Sequence, residues 1–331
     1  MAINNVIELI GNTPLIKLKY ASEITGCNIL GKAEFLNPGG SIKDRAALAI
    51  IKDAEKNNRL KKNGIIVEGT AGNTGIGLTL IANAKGYQSI IVMPETQTQE
   101  KIDTIKSMGA ELILVPAKPY KDPNNYVKYS ESFAKEIYEK NNGNTIWANQ
   151  FDNTANFKGH YQTTGKEIWE QTKGQVDAFI CSSGTGGTIA GVGKALKEKN
   201  QNVKIFLADP KGSALYNYIK FNELIIEGSS ITEGIGSSRV TANFKEAKID
   251  GAFSIEDNEA MNIIYKLIKE EGLNLGTSSG INIAGAIRLG KEIGPGKNIV
   301  TILCDQSDRY KSKIFNKKLL KEKNIDIPDW L

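Results

Sequence analysis

The sequence predicts an α/β protein built from two open, mostly parallel sheets. Short β-branched runs alternate with amphipathic helices, and glycine-rich loops follow several of the runs. Strands that alternate with helices in this way pair in parallel and are covered by helices on both faces. A chain of 331 residues also exceeds one ordinary hydrophobic core, so we expect two domains.

The first half of the chain repeats a unit of strand, loop and helix. A turn is predicted at 12–15, before the first strand. In the helix at 73–85, Ile76, Leu80 and Ile81 recur at helical spacing. The predicted strands are 28–35, 65–68, 89–93, 112–115 and 144–148, and the predicted helices are 43–57, 73–85, 100–108 and 126–140.

The second half resumes the alternation after a polar connection at 151–161, which has no strong period and is the predicted passage between domains. We therefore expect an N-terminal domain at 1–150 and a C-terminal domain at 151–331, with part of 1–40 packing on the latter. The predicted helices are 163–171, 187–199, 260–270 and 281–293, and the predicted strands are 178–181, 204–208 and 299–303.

Composition excludes several classes of protein. The 42 basic and 37 acidic residues nearly balance, and the lysines at 311–323 indicate a solvated helix before a nucleic-acid site. No 18 apolar residues follow one another and residues 1–11 lack a signal-peptide pattern, so we expect no membrane span and a cytoplasmic location. Cys27, Cys181 and Cys304 predict three buried thiols without a disulfide or a zinc site.

The chain has a single histidine, His160. Ser-His-Asp hydrolysis, Cys-His proteolysis and multi-histidine metal sites all require histidine in a defined partnership. An enzyme with this composition is therefore expected to use an organic cofactor and no metal.

A turn with two glycines opens the first long helix. Ser41 and Asp44 have the spacing of a capping box, in which the hydroxyl accepts a first-turn N–H and the carboxylate reaches back. Lys43 then lies at the positive end of the helix dipole, where an ammonium is disfavoured. Such a lysine can act as a nucleophile or a base, which makes Lys43 a candidate for Schiff-base chemistry. The alternative is that Lys43 simply points into water.

Residues 182–188 form a second glycine-rich loop, between a strand and a helix. Its backbone N–H groups and the helix dipole converge on one spot, which predicts an anion site that suits a phosphate, and the hydroxyls of Thr185 and Thr188 can donate to it. No Gly-Lys-Ser/Thr ends the loop, so a nucleoside triphosphate is disfavoured. Asp209, after the next strand, leaves a dinucleotide site open as an alternative, although the glycine spacing departs from that fingerprint.

The third loop, at 70–75, is rich in short polar side chains and could bind a carboxylate. The alternative is an ordinary helix N-cap at Asn73 or Thr74. All three loops follow strands and would meet at one edge of an open α/β sheet, where ligands bind. A lysine able to form an imine, a phosphate cradle and a carboxylate loop together suit pyridoxal phosphate carrying an amino acid.

At these motifs the sequence resembles the cysteine synthase and cystathionine β-synthase family of pyridoxal-phosphate enzymes. The resemblance runs from Gly-Asn-Thr-Pro at 11–14, through Asn-Gln-Phe-Asp-Asn at 149–153, to Arg-Tyr at 309–310. It implies the tryptophan synthase β-like fold, fold type II, with pyridoxal 5′-phosphate in the cleft between the two domains. It also implies a homodimer and the possibility of a serine acetyltransferase partner.

The resemblance assigns roles to individual residues. Lys43 matches the Schiff-base lysine, Asn73 the residue beside the cofactor hydroxyl, and Asp305 the position that faces the pyridine nitrogen. The implied phosphate-binding residues are Gly184, Thr185, Gly186, Gly187 and Thr188. The implied substrate-binding residues are Thr70, Ala71, Gly72, Asn73, Thr74, Gln150 and, in the Glu-Gly-Ile-Gly segment at 233–236, Gly234.

The activity that the resemblance implies is β-replacement. A serine-type amino acid loses its β-substituent, and the resulting aminoacrylate accepts sulfide or a thiol, so that O-acetylserine and sulfide give L-cysteine. Ala71 stands where the family usually has serine and Asp305 where it usually has serine or threonine. If Asp305 faced the ring, L-cysteine or L-serine would serve as donors, releasing hydrogen sulfide or water and giving a thioether such as lanthionine or cystathionine. A non-catalytic binding homologue and a dinucleotide-dependent reductase are the alternatives from other classes.

Overall fold

The computed structural model describes residues 2–331, which form two sheets and the helices that cover them. The strands are β1 (Leu15–Lys17), β2 (Asn28–Ala33), β3 (Ile65–Gly69), β4 (Gln88–Pro94), β5 (Glu111–Val115), β6 (Thr145–Trp147), β7 (Ala178–Cys181), β8 (Lys204–Pro210), β9 (Gly251–Ile255) and β10 (Asn298–Leu303). The α-helices are α1 (Lys19–Thr25), α2 (Lys43–Lys56), α3 (Asn73–Lys85), α4 (Gln99–Ser107), α5 (Tyr126–Lys140), α6 (Ala155–Gln162), α7 (Thr164–Gln171), α8 (Gly187–Lys199), α9 (Leu215–Phe221), α10 (Ala242–Lys245), α11 (Asp257–Glu271), α12 (Thr277–Ile293), α13 (Lys311–Ile314) and α14 (Lys317–Glu322).

Both sheets are open and mostly parallel, which confirms the predicted fold class. The larger sheet has the order β1-β2-β10-β7-β8-β9, and within it only β1 is antiparallel to its neighbour. The smaller sheet has the order β5-β4-β3-β6 and is parallel throughout. Strands β1 and β2 lie in the larger sheet, and the division of the chain into domains at residue 150 stays a prediction.

Helices cover each sheet on two faces. On the larger sheet, α11 and α12 pack on one face, while α7 and α8 pack on the other. Helices α2 and α3 cover one face of the smaller sheet, and α5 packs on the opposite face. Strands β7 and β10 are buried along almost their whole length, because helices cover both of their faces. The β-branched residues of these strands therefore form the centre of the larger core.

Several predicted elements need correction. Leu15 begins strand β1 instead of ending a turn, and the segment at 151–161 contains most of helix α6. Helix α6 shows no clear apolar period because its buried face mixes Ala155 and Phe157 with polar residues. One of these, Asn156, donates to Gln150 O at 3.0 Å and to Thr185 Oγ1 at 2.9 Å. The sequence interpretation also missed α1, α9, α10 and β9, and the lysine-rich tail forms two short helices, α13 and α14, instead of one.

Within residues 2–331, no helix is both long and apolar enough to span a bilayer. The same residues hold no cluster of histidine, cysteine and acidic side chains that could bind a metal ion. The loops at 70–75 and 182–188 follow β3 and β7, at the sheet edges where ligands bind in open α/β proteins.

Candidate active site

A cavity of about 300 Å³ lies between the two sheets. Its walls come from the start of α2, the loop after β3, the residues after β6 and β7, and the segment at 233–239. A smaller recess shares Lys43, Gly184 and Cys304 with this cavity and continues along the loop after β7. The carboxyl ends of strands from both sheets thus meet at one site, as the sequence predicted.

Lys43 is the first residue of α2, is half-buried and lines both the cavity and the recess. The capping box predicted in front of it is wrong in its pairing. Ser41 Oγ accepts from the N–H of Lys43 at 3.2 Å, whereas the Asp44 carboxylate accepts from Gly39 N–H at 2.6 Å. Asp44 thereby fixes the glycine turn, and Lys43 faces the cavity instead of bulk water.

The loop at 182–188 has the features of an anion cradle. Among the described residues, no acceptor faces the N–H groups of Gly184, Thr185 and Gly186. The Ser183 hydroxyl is buried, lines the recess and has no hydrogen-bond partner within residues 2–331. Unsatisfied buried donors are costly, so the loop is built for an acceptor from a ligand. The N-terminus of α8 adds its dipole at the same place.

Close packing explains the glycines of this loop. A Cβ atom at Gly184 would lie 2.3 Å from Gly234 O, and one at Gly187 would lie 2.1 Å from Asn156 Oδ1. Gly186 has φ +88° and contacts the backbone of Phe244. Gly186 and Thr188 line the recess, while Gly187 lies behind it. Contacts with Gly234, Asn156 and Phe244 fix the loop, so its backbone N–H groups stay directed toward the recess.

The loop after β3 brings the predicted carboxylate-binding residues together. Thr70, Ala71, Gly72, Asn73, Thr74 and Gln150 all line the cavity. Thr74 Oγ1 donates to Gln150 Oε1 at 2.6 Å, and Thr70 Oγ1 accepts from Gly72 N–H at 3.0 Å. The N-cap of α3 is Gly72, so the alternative of a side-chain cap at Asn73 or Thr74 is wrong.

Asp305 is placed differently from the prediction. Its side chain is buried and accepts from Asn73 Nδ2 at 2.6 Å and from Tyr310 Oη at 2.6 Å. Asn73 Oδ1 in turn accepts from Arg309 Nη1 at 2.6 Å. Asp305 does not line the cavity, so the prediction that it faces a pyridine nitrogen is corrected: Asp305 supports Asn73 from outside.

Ser278 and Cys304 line the cavity on the side where Asp305 was expected. Ser278 lies at the N-terminal turn of α12, and Cys304 follows β10. The prediction of three buried thiols is correct for Cys27 and Cys181 and wrong for Cys304, which is half-buried. Burial among neighbouring groups raises the pKa of Cys304 to about 11, so the thiol stays protonated at neutral pH.

His160 and Asp209 line neither the cavity nor the recess. His160 is buried between Thr164 and Thr188, and burial lowers its pKa to about 3, so it stays neutral and exchanges no proton near pH 7. Asp209 is buried and accepts from Tyr216 N–H at 2.7 Å at the start of α9. A carboxylate covered in this way is not available to a ribose, so the dinucleotide interpretation is wrong.

Sequence reasoning missed Lys101, which is buried and lines the cavity. Lys101 Nζ donates to Glu233 Oε2 at 2.5 Å and lies 4.3 Å from the centroid of the Tyr310 ring. Burial lowers the pKa of Lys101, and the charge of Glu233 opposes this shift. A lysine on an amphipathic helix usually faces solvent, so its own neighbours in the sequence did not indicate that Lys101 is buried. The only indication of its partner was the position of Glu233 next to Gly234.

Fold and site together define a class of protein: a two-sheet α/β enzyme with an anion cradle, a carboxylate loop and an accessible lysine in one cleft. The unpartnered Ser183 hydroxyl and the free N–H groups at 184–186 suit a phosphate ester, and Lys43 shares their recess, so these residues fit pyridoxal phosphate. The chain belongs to the pyridoxal-phosphate-dependent enzyme family, whose model, described as "Pyridoxal-phosphate dependent enzyme", matches residues 6–305.

Comparison with known proteins narrows the family. The chain is 50% identical to cysteine synthase 1 of Neurospora crassa over 96% of its own length and 84% of that protein. The O-acetylserine-dependent cystathionine β-synthase of Helicobacter pylori superimposes with a TM-score of 0.86 at 32% identity, over 95% of this chain and 98% of the other. A hydrogen sulfide-producing enzyme of Fusobacterium nucleatum gives a TM-score of 0.83 at 36% identity, over 93% and 100% of the two chains. The predicted β-replacing class of pyridoxal-phosphate enzyme is confirmed.

Proposed function

We propose that the protein is a cysteine synthase that replaces the acetoxy group of O-acetylserine with sulfide. The observation that carries the proposal is the meeting of Lys43, the anion cradle at 182–188 and the carboxylate loop at 70–75 in one cavity. The similarity to the Neurospora crassa cysteine synthase over nearly the whole chain supports the choice of donor and acceptor.

Three groups of residues would hold the reactants. Gly184, Thr185, Gly186 and Thr188 would bind the phosphate of the cofactor through their N–H and hydroxyl groups. Lys43 would hold the cofactor covalently through its amine. When bound, pyridoxal phosphate supplies an electron sink for the bonds at the amino-acid α-carbon.

The substrate carboxylate would be bound at the N-terminus of α3. Thr70, Thr74 and Gln150 provide hydroxyl and amide groups there, and the dipole of α3 favours a negative charge. A carboxylate held there would direct the α-carbon toward Lys43, which lines the same cavity. The Lys43 amine lines this cavity and would take up the α-proton as a general base.

A second candidate donor is L-cysteine, with sulfide as the leaving group and a thiol as acceptor. The observation in its favour is the likeness to the Fusobacterium nucleatum enzyme, which produces hydrogen sulfide. Asp305 gives no support to this candidate, because its carboxylate does not line the cavity. O-acetylserine therefore remains the first choice.

The assembly, which rests on the family resemblance, and the location are further proposals. We infer a homodimer in the cytoplasm, with a serine acetyltransferase as a possible partner. Light scattering of the purified protein, with and without that acetyltransferase, would measure both associations. A monomeric mass would contradict the dimer.

A substrate panel tests the proposed activity. The purified holoenzyme is given O-acetylserine, L-serine or L-cysteine as donor, and sulfide, L-cysteine or homocysteine as acceptor, and each product is identified by mass spectrometry. We expect the highest kcat/KM for O-acetylserine with sulfide. Faster sulfide release from L-cysteine alone would favour the second candidate, and absence of any β-replacement would contradict both.

A further inference from the structure

Lys101 spans the cleft between the two sheets. It lies on α4, which packs on the smaller sheet, whereas Glu233 lies in the segment that follows α9 on the larger sheet. The two side chains form an ion pair of 2.5 Å, and the residues are only 1% and 8% exposed. A desolvated ion pair has a well-defined geometry, because neither charge can exchange its partner for water.

The aliphatic part of Lys101 supports the carboxylate loop. A Cβ atom at Gly72 would lie 2.6 Å from Lys101 Cδ, so the stem of Lys101 packs directly on the backbone of Gly72. Gly72 has φ +134°, a conformation that side chains rarely adopt, and it is the N-cap of α3. A shift of Lys101 would therefore move the loop that carries Thr70 and Asn73.

Glu233 connects the other end of the pair to the phosphate loop. It directly precedes Gly234 and Gly236, which line the cavity. Gly236 N–H donates to Ser183 O at 2.8 Å, and Gly234 O packs against Gly184. The backbone next to Glu233 is therefore attached to the anion cradle.

Gln97 and Lys313 also contact Glu233. In the orientation that satisfies its amide, Gln97 donates to Ala71 O at 3.0 Å and to Glu233 Oε2 at 3.1 Å. Lys313 contacts Glu233 Oε1 at 2.5 Å, is more exposed than Lys101 and does not line the cavity. Glu233 therefore keeps a cationic partner even when Lys101 is neutralised, and a Lys101 variant leaves no unpaired buried carboxylate.

We propose that Lys101 is a positioning residue that holds the carboxylate loop at 70–75 at a fixed distance from the segment at 233–236, and thereby sets the affinity for the donor amino acid. The proposal rests on the proposed function for the identity of that donor. Glu233 keeps Lys313 as a partner when Lys101 is changed, so the segment at 233–236 should still support the loop at 182–188, and cofactor binding should not depend on Lys101. Loss of the pair should therefore weaken donor binding and spare the cofactor.

The experiment measures donor affinity by titrating L-serine, whose hydroxyl is a poorer leaving group than the acetoxy group of O-acetylserine, into the holoenzyme and following the visible absorption of the bound cofactor. We expect Lys101→Met to raise the donor Kd by at least about tenfold, the order that one well-placed charge-assisted contact contributes. Lys101→Arg should recover most of the affinity, because it restores the charge and the stem. Cofactor content and the unfolding midpoint should stay near the wild-type values.

Matched controls separate positioning from a general effect of charge. Lys106→Met makes the same change at an exposed position of the same helix, and Lys313→Gln removes the second partner of Glu233. Lys106→Met should keep the donor Kd within about twofold, as surface substitutions usually do, and Lys313→Gln should do the same because Glu233 keeps Lys101 as its partner. In the double variant Lys101→Met with Glu233→Gln, the loss should be smaller than the product of the single losses, because the two residues act as one pair.

Two outcomes would overturn the proposal. One is a donor Kd in Lys101→Met within twofold of wild type or of Lys106→Met, and the other is loss of cofactor in parallel with loss of donor affinity. Neither depends on turnover, since the titration reports binding. Failure of the proposed function would appear differently, as wild-type protein that binds the donor and yields no β-replacement product.

Discussion

At the scale of single residues, Lys43 is the group on which the proposed chemistry depends. It is the only lysine that lines both the cavity and the recess of the anion cradle among residues 2–331. Its place at the start of α2 is fixed by hydrogen bonds of Ser41 and Asp44 with the adjoining backbone. These hydrogen bonds hold the backbone from which the Lys43 side chain extends into the cavity.

Lys43→Ala is expected to reduce β-replacement by at least about 10³-fold, because both the covalent holding of the cofactor and the general base are lost. The fold should persist, since the half-buried side chain is not part of a core cluster. Turnover and far-UV circular dichroism measure the two effects. Lys52→Ala, an exposed position of the same helix, serves as the control. Substantial activity in Lys43→Ala would contradict the assignment.

Asp305→Ser tests the corrected role of Asp305. Removing the carboxylate leaves the buried Tyr310 hydroxyl and the Asn73 amide without their acceptor, which should lower the free energy of unfolding by about 1–3 kcal/mol. The ratio of the rates with L-cysteine and with O-acetylserine should stay within about twofold, because the side chain does not line the cavity.

Ser278→Ala is the comparison variant for this experiment. It removes a hydroxyl that does line the cavity, so turnover should change while urea unfolding stays near wild type. A large fall of the cysteine-to-O-acetylserine ratio in Asp305→Ser alone would show that the carboxylate acts on the ring after all.

At the scale of elements, the anion cradle depends on how the loop after β7 packs against α10. Gly186 lies between the strand and α8 with φ +88°, and a Cβ atom there would lie 2.5 Å from Phe244 Cα. The contact is with the backbone of Phe244, which cannot rotate away as a side chain could. A larger residue at position 186 would therefore displace the loop. The donors that would meet the phosphate therefore depend on the glycine.

Gly186→Ala is expected to weaken pyridoxal phosphate binding by at least about tenfold, from a clash and from a left-handed backbone that costs about 1–2 kcal/mol in any non-glycine residue. Gly109→Ala is the matched control, because Gly109 has φ +82° and nothing within 4 Å of its Cβ position. Gly109→Ala therefore has the same unfavourable backbone conformation as Gly186→Ala but no clash. Equal cofactor affinity in the two variants, measured by titration of the apoprotein, would contradict the role of the contact.

At the scale of the whole molecule, a buried ionic network joins the N-terminal segment to the start of α2. Glu167 on α7 pairs with Lys32 at 2.7 Å and accepts two bonds of 2.7 Å from Arg45, which also pairs with Glu34. Arg45 is two residues from Lys43, so the network fixes the helix that carries the proposed catalytic lysine.

Glu167→Gln should lower the free energy of unfolding at pH 7 by about 3–5 kcal/mol, because Lys32 and Arg45 lose a buried partner. Burial opposes ionisation of Glu167, yet hydrogen bonds and charges from Arg45 and Lys32 lower its pKa to about 2. Since this pKa lies below that of an unfolded glutamate, the stabilisation is present above roughly pH 4.3 and is lost as the pH falls toward 2.

Urea unfolding of the full chain between pH 7 and pH 3 measures this dependence. The difference between wild type and Glu167→Gln should shrink by about 1.4 kcal/mol per pH unit below roughly pH 4.3. Glu170→Gln, an exposed position of the same helix, should change stability by less than about 0.5 kcal/mol. A difference that does not vary with pH would mean that the pKa of Glu167 is the same in the folded and unfolded states, and would contradict its lowered value.

Much of the fold and part of the site could be read from local patterns. The bounds of α3, α5 and α8 agree with the prediction, since apolar periodicity together with flanking glycine, asparagine or lysine marks where such helices begin and end. Loops that follow parallel strands must meet at one sheet edge, so the gathering of Lys43, the loop at 70–75 and the loop at 182–188 also followed from the sequence.

The sequence by itself determined the alternation of strands and helices, the parallel fold class and the loops that form the cavity. Only the tertiary structure decided which side chains meet across it. Asn73 and Asp305 are 232 positions apart and Lys101 and Glu233 are 132 apart, and their contacts depend on sheet order and on side-chain rotamers. Local propensity acts over only a few residues, so it encodes neither the sheet order nor these rotamers. This is why Asp305 was assigned to the ring and Lys101 was overlooked.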